Sequence, residues 1–208
     1  MEDVLSVYHR PYNPKIPLLC IDEASKQLVK EMRNPLGFGP GKTMCYDYEY
    51  ERNGVCNLFM ISAPLEGWRH VEITNRRTAI DWANRMKDLV DIHFPDAEKI
   101  ILICDNLNTH NGASLYQAFP PAEARRILDK IEWHYTPVHG SWLNIAEIEI
   151  SVLQRQCLKR RIPDQPSLEK EIQAWQNKRN QRKDRVNWRF SADDARIKLK
   201  KLYPSIQA

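Results

Sequence analysis

The sequence predicts an α/β protein with a mixed sheet flanked by helices, and two observations support this prediction. The first third of the chain contains apolar and alternating segments without helical spacing, as antiparallel strands do. The second half alternates short apolar runs with segments of helical spacing, which is typical of strands joined by helices. With 208 residues, 42% of them hydrophobic, the chain is long enough to bury one core.

The first half of the sequence is predicted to form mainly strands. Residues 1–15 are polar and contain Pro11 and Pro14, so we expect an extended lead-in. Residues 24–41 hold two Pro and three Gly, a composition that favours a loop. Asn53-Gly54 is a hairpin turn signal. The predicted strands of this half are Ile16–Glu23, Met44–Arg52, Val55–Ser62 and Trp68–Thr74.

Helices alternate with strands in the second half. Residues 77–94 have apolar side chains at helical spacing, with Thr78 and Asp81 near the start as expected for a helix N-terminus. The run Ile100–Cys104 is apolar throughout, which predicts a strand buried on both faces. Further helices are predicted at Ser114–Phe119, Ala122–Lys130, Leu143–Arg160, Leu168–Gln181 and Ala192–Leu202, and a further strand at Ile131–Tyr135.

Charge is distributed unevenly along the chain. Residues 151–208 contain 15 Lys and Arg against 6 Asp and Glu, whereas the remainder contains 16 against 21. We therefore assign residues 16–162 to one domain and residues 163–208 to a basic helical C-terminal extension of the same domain. The asymmetry favours a surface that faces a polyanion, although a solvated helix face would give the same count.

Composition also excludes several classes of protein. No apolar run approaches the ~20 residues of a membrane span, and the N-terminal residues lack the apolar core of a signal peptide. We expect a cytoplasmic protein, associated with the nucleoid in a bacterium.

The five cysteines are odd in number and show no CxxC pairing, so they are predicted to be reduced core thiols and not zinc ligands.

Three acidic residues stand at the ends of predicted elements. Asp22 ends the first apolar run, Asp105 follows Ile100–Cys104, and Glu147 lies near the start of a predicted helix. Ligands of α/β sheets collect beyond the carboxyl ends of strands. Hard divalent cations prefer carboxylate oxygens, so this trio suits phosphoryl-transfer chemistry.

Each acid also has a purely structural interpretation. Asp105, followed by Asn106, is typical of an Asx turn, and Asp22 would suit a strand-end ion pair. Glu147 would be favoured by the helix dipole. Glu147 and Glu149 lie on nearly opposite faces of their helix, so only one of them can reach a shared site, and the periodicity does not choose between them.

The segments around these acids resemble the three acidic blocks of the DDE transposases, most closely the IS630 branch of the IS630/Tc1/mariner superfamily. The matching segments are CIDE around Asp22, CDNLNTH from residue 104 to 110, and TPVHGSWLNIAE from residue 136 to 147. The resemblance covers nearly the whole chain and selects Glu147 over Glu149. It implies an RNase H-like fold, a mixed five-stranded sheet flanked by helices, in which the strands carrying Asp22 and Asp105 are neighbours.

The function implied by this resemblance is that of an insertion-sequence transposase, which hydrolyses DNA strands at transposon ends and transfers the 3′-OH into target DNA. Asp22, Asp105 and Glu147 would be both the catalytic residues and the ligands of two Mg²⁺ or Mn²⁺ ions. Asn106 and His110 would support the site, although a His that satisfies the core is an equally open interpretation. The alternatives are an RNase H-like nuclease without strand transfer and an inactive DNA-binding remnant.

The partners implied are double-stranded DNA and a second copy of the chain, as a homodimer in the active complex. Related transposases carry an N-terminal helix-turn-helix module, which this sequence lacks, so we expect such a module on a separate chain or in a longer protein. Trp142 would stack on a base or, alternatively, serve as a packing anchor. The predicted phosphate contacts are Arg155, Lys159, Arg160, Arg161, Lys178, Arg179, Arg182, Lys183 and Arg185.

Overall fold

The fold is known from a computed structural model that describes residues 1–33, 40–41 and 48–203. The strands of its sheet are β1 Leu18–Glu31, β2 Tyr50–Ala63, β3 Trp68–Thr74, β4 Ile100–Cys104 and β5 Ile131–Tyr135. Their spatial order is β3-β2-β1-β4-β5. β1 and β3 pair antiparallel with β2, whereas β4 pairs parallel with both β1 and β5. The predicted mixed five-stranded sheet is therefore correct.

Helices cover both faces of this sheet. The helices are α1 Glu2–Tyr8, α2 Ala79–Asp88, α3 Gly112–Ala118, α4 Pro121–Lys130, α5 Ile145–Leu153, α6 Gln165–Arg182 and α7 Ala192–Lys198. Short π-helical turns follow α2 at Leu89–His93 and α5 at Gln154–Leu158. Single 3₁₀ turns lie at Ser141–Leu143 and Lys200–Leu202.

Alternation along the central strands separates two apolar cores. Leu19 and Leu102 pack with α2, α3 and α4 on one face. Cys20 and Ile103 pack with α1, α5, α6 and α7 on the other face. Because successive strand residues point to opposite faces, side chains two positions after Cys20 and Ile103 are directed toward α5.

The first two strands are longer than predicted. β1 continues through Glu31, so the loop predicted for residues 24–41 is wrong over its first eight residues. The Asn53-Gly54 turn is also wrong, because both residues lie inside β2. Pairing passes from Gln27 opposite Val55 to Val29 opposite Arg52, which leaves a bulge where Gly54 has a φ of 89°. Residues 44–47 of the predicted hairpin lie outside the described residues.

The N-terminal segment also differs from its prediction. The extended lead-in at residues 1–15 is wrong for its first part, because Glu2–Tyr8 form α1. Val4, Leu5 and Val7 are buried against the α5 face of the sheet. The Tyr8 hydroxyl donates a hydrogen bond to the Leu143 carbonyl at 2.7 Å and accepts one from the Ile145 amide at 3.3 Å. α1 thus supports the turn that precedes α5.

The open edge of the sheet is covered by α6. Asn180 donates to the Arg69 carbonyl at 2.8 Å and accepts from the Arg69 amide at 2.9 Å. Gln176 accepts from the Val71 amide at 2.8 Å. These side chains form hydrogen bonds with backbone groups of β3 that an edge strand would otherwise offer to another strand.

Four cysteines lie in the described residues, and all four are free thiols. Cys20, Cys56 and Cys104 are buried, as predicted for core thiols, whereas Cys157 is only half-buried. Cys45 lies outside the described residues. Within the described part of the chain, no helix is both long and apolar enough to cross a bilayer.

Candidate active site

Asp22 and Asp105 lie where the parallel pairing of β1 and β4 ends. The last pair joins Cys20 to Ile103; Asp22 follows two residues later within β1, and Asp105 follows two residues later, directly after the end of β4. β4 stops at Cys104, while β1 continues along β2 alone. The side of β1 that faced β4 is therefore open beyond this point, and both carboxylates lie at the same level of the sheet on the face covered by α5.

Glu147 reaches this level because Asn144 fixes the start of α5. The Asn144 side chain is 1% exposed and caps the helix, accepting a hydrogen bond from the Ala146 amide at 3.1 Å. Its amide nitrogen donates to the Ile21 carbonyl at 2.8 Å. One side chain thus joins the first turn of α5 to the residue before Asp22. In the sequence, Asn144 contributed only to the spacing of a motif, although Asn before a helix is a recognisable N-cap signal.

The structure brings the three predicted acids together around one cavity of ≈380 Å³. Glu149 lies elsewhere: it is 2% exposed and forms ion pairs of 3.1 Å with both Arg69 and Arg179. Periodicity left the third position open between Glu147 and Glu149, and it is Glu147 that shares a cavity with Asp22 and Asp105. The other lining residues are Glu23, Ala24, Ser141, Asn144, Ile150, Ser151 and Gln154.

The electrostatics of the cavity oppose a charged Asp22. Burial, together with the negative charges of Asp105 and Glu147, raises the pKa of Asp22 to about 6. The Glu23 amide donates to the Asp22 carboxylate at 2.7 Å, which offsets only part of this effect. A positive charge inside the cavity would relieve the repulsion.

His110 connects Asp105 to a residue that the sequence did not single out. Its Nδ1 forms a hydrogen bond with the Asp105 carboxylate and its Nε2 forms one of 2.9 Å with Glu23. The ring is 1% exposed and stacks on Trp82 at 3.9 Å. Burial lowers the pKa of His110, but the two carboxylates outweigh it and raise that pKa to about 9. The hydrogen bond from His110 in turn lowers the pKa of Asp105.

The remaining candidates near the cavity have mixed environments. Asn106 is exposed. Asp105 accepts a long hydrogen bond of 3.4 Å from the Leu107 amide, so the Asx-turn geometry is present together with the His110 contact. Trp142 is 40% exposed and packs edge-on against Phe190, which is compatible with both of its predicted roles.

The donor atoms around the cavity fit a hard divalent cation. Asp22, Asp105 and Glu147 supply carboxylate oxygens, which Mg²⁺ and Mn²⁺ prefer. Among the described residues, no three His, Cys, Asp or Glu side chains are close enough together to hold an ion in this arrangement. The side chains would have to draw closer on binding, and neutralisation of their mutual repulsion would favour that movement.

The predicted phosphate contacts divide into two groups. Three are engaged by acids: Arg160 pairs with Glu171, Arg161 with Glu31, and Arg179 with Glu149. The others have exposed side chains, and they are Arg155, Lys159, Lys178, Arg182, Lys183 and Arg185. The exposed group is better suited to contact a polyanion, because within the described ranges its members form no ion pair that would have to break first.

Comparison with known proteins gives a family match and a set of structural matches. The family model described as "DDE superfamily endonuclease" matches residues 17–169. No curated protein sequence matches the chain significantly. The Mos1 mariner paired-end complex with Mn matches with a TM-score of 0.58 at 15% identity, covering 88% of this chain and 55% of that one.

Two further Mos1 structures agree with this match. The paired-end complex with the left transposon end has a TM-score of 0.58 at 16% identity, covering 88% of this chain and 55% of that one. The strand transfer complex has a TM-score of 0.56 at 15% identity, covering 88% and 57%. At such identities the likeness establishes the fold, and the predicted RNase H-like architecture is correct. The chain spans little more than half the length of the proteins it matches.

Proposed function

Since this chain belongs to the family of DDE superfamily endonucleases, we propose that it is the catalytic domain of a DNA transposase of the IS630 branch. It cleaves DNA strands at transposon ends and transfers the freed 3′-OH into target DNA. The observation that supports this function is the position of Asp22, Asp105 and Glu147 around one cavity, at the end of the paired strands. The finer assignment to the IS630 branch depends on the sequence segments around the same three residues.

In this proposal the three carboxylates hold two Mg²⁺ or Mn²⁺ ions. When bound, such ions stabilise the attacking and leaving oxygens of an in-line displacement at phosphorus. His110 keeps the Asp105 carboxylate in one orientation, and Glu23 fixes the ring of His110 from the other side. Asn144 holds the helix of Glu147 against β1, so that the third carboxylate faces the other two.

DNA is the proposed partner of the exposed basic residues. Lys and Arg side chains that neutralise phosphates give binding that is strong at low salt and largely independent of sequence. The matched Mos1 structures are described as paired-end and strand transfer complexes. Pairing of two ends calls for two catalytic domains, so we propose a homodimer in the active complex.

Calorimetric titration with Mn²⁺ tests the metal site. We expect the wild type to bind Mn²⁺ and Asp105→Asn to lose at least tenfold in affinity, as loss of a key ligand contact does. Asp129→Asn is the matched control, because it makes the same change at a 59% exposed side chain on α4. Equal Mn²⁺ uptake by the wild type and Asp105→Asn would refute the proposed site.

Strand transfer distinguishes a transposase from a simple nuclease. A labelled oligonucleotide with a free 3′-OH is incubated with a supercoiled plasmid and Mn²⁺. We expect label joined covalently to the plasmid, and none with Asp105→Asn. Nicked plasmid without joined label would identify a nuclease instead.

A further inference from the structure

Three cavities follow one another along α5 and the π-helical turn after it. The carboxylate cavity is the first. A second cavity of ≈540 Å³ shares Ala24, Ile150 and Gln154 with the first one. A third cavity of ≈680 Å³ shares Lys159 with the second. The first two cavities therefore adjoin, and the third lies beyond the π-helical turn with Lys159 in common; the three together are called the groove, which leads from the carboxylates to α6.

The middle cavity has an apolar floor. Leu58, Ile150, Leu153 and Leu158 line it, and all four are at most 7% exposed. Its rim is polar and cationic, formed by Ser25, Lys26, Gln154, Arg155 and Lys159. A ligand that combines a flat apolar group with a negative charge is complementary to such a lining.

The third cavity is basic. Five of its lining side chains are Lys or Arg, and its acidic lining residue, Glu171, pairs with Arg160. Lys159, Lys178 and Arg182 are exposed. This end of the groove therefore favours anions.

The wall between the second and third cavities is held in place. Lys26 donates to the Leu158 carbonyl at 2.6 Å and to the Arg160 carbonyl at 3.3 Å. Trp175 donates to Gln156 at 2.9 Å. These bonds tie the π-helical turn to β1 on one side and to α6 on the other, so the groove is preformed.

We propose that this groove binds a single DNA strand that leaves the carboxylate cavity, with one unstacked base in the middle cavity and the next phosphates on Lys159, Lys178 and Arg182. The proposal rests on the proposed function and specifies the form of its substrate. A single strand carries phosphates along its backbone and flat aromatic bases to the side, so one phosphate can reach the carboxylate cavity, the neighbouring base the apolar floor, and the following phosphates the basic cavity. A duplex keeps its bases stacked inside and would leave the apolar floor empty.

A scan with abasic sites tests the proposal on the whole chain. Labelled single strands, each lacking one base, are bound in EDTA so that no strand is cut, and affinity is measured by fluorescence anisotropy. We expect one position at which loss of the base weakens binding about tenfold, the scale of a lost base contact. The other positions should change little, because their phosphates remain.

Two substitutions locate that position on the protein. Gln154→Trp places a bulky side chain where the carboxylate cavity and the middle cavity meet and should remove the abasic effect, whereas Gln173→Trp makes the same change on the exposed surface of α6 and should preserve it. The proposed strand path would be overturned if no abasic position weakened binding, or if a duplex bound with the same affinity as the single strand. It would also be overturned if the abasic effect persisted in Gln154→Trp. If the scan is flat while Mn²⁺ uptake still depends on Asp105, the proposed function stands and this inference fails.

Discussion

Two carboxylates on the same helix have opposite environments. Glu147 is exposed at the cavity, whereas Glu149 is buried between Arg69 and Arg179. A buried acid between two guanidinium groups balances their charge, and its removal leaves two cations without compensation in the interior. The residue type is the same, but the neighbours direct one acid to the site and the other to the support of the helix.

Neutralising each acid separately distinguishes these roles. We expect Glu149→Gln to lower the free energy of unfolding by about 3 kcal/mol, because a buried ion pair loses one partner. Glu147→Gln should change it by less than about 0.5 kcal/mol, since that side chain is exposed. Urea denaturation and Mn²⁺ calorimetry check this, with Mn²⁺ binding lost in Glu147→Gln and kept in folded Glu149→Gln. The reverse pattern would exchange the two assignments.

Among the secondary-structure elements, α6 both closes the sheet and forms one wall of the groove. Asn180 and Gln176 form hydrogen bonds with the backbone of β3 at Arg69 and Val71, respectively. The opposite side of the same helix carries Lys178 and Arg182 into the third cavity. Any displacement of α6 would therefore expose a strand edge and move the basic side chains together.

Removal of one edge contact should be measurable. We expect Asn180→Ala to lower the free energy of unfolding by about 2 kcal/mol, because it leaves the amide and carbonyl of Arg69 without a partner. Asn177→Ala, an exposed position on the same helix, should change it by less than about 0.5 kcal/mol. Urea denaturation gives both values. Equal effects of the two substitutions would mean that Asn180 does not protect the edge.

Secondary-structure elements whose conformation follows from their local sequence could be predicted. Elements that depend on pairing with a strand distant in the sequence could not. β4 is an apolar run, β5 is rich in β-branched and aromatic side chains, and α2 begins after Thr78, which forms a capping box with Asp81. The second half of β1 is polar and precedes Pro and Gly, so its local sequence favours a loop. Its strand conformation depends on pairing with β2, as far as Glu31 opposite Tyr50.

The same distinction applies to the candidate site. Asp22, Asp105 and Glu147 could be proposed from the sequence because the two aspartates each follow an apolar run, Glu147 lies near the start of a helix, and all three stand in recognisable motifs. Their supports could not: Glu23 and His110 are 87 residues apart, and Asn144 bonds to a carbonyl 123 residues away. Such contacts exist only after the chain has folded. The roles of all three acids remain predictions that the metal titrations test.

For the whole molecule, the proposed metal site would make stability depend on the divalent cation. In the metal-free protein, the raised pKa of Asp22 means that its charged form opposes folding above about pH 6. A cation bound only by the folded chain adds stability, about 2.7 kcal/mol when its concentration is 100 times its dissociation constant. In the proposed site, the Asp22 carboxylate whose charge weakens the metal-free protein is thus a group that stabilises the metal-bound one.

Asp22→Asn should make the metal-free protein more stable and should remove the stabilisation that a bound cation gives. At pH 7 without metal, we expect the variant to be about 1 kcal/mol more stable than the wild type, because a partly buried charge is removed. Because the folded pKa of Asp22 is raised, this difference should disappear as the pH falls from 6 toward 4, where the wild-type carboxyl is protonated. Added Mn²⁺ should raise the melting temperature of the wild type and of Asp129→Asn but not that of Asp22→Asn. If Asp22→Asn were less stable than the wild type at pH 7 and still responded to Mn²⁺, Asp22 would serve the fold and not the metal, and the three-carboxylate site would be wrong.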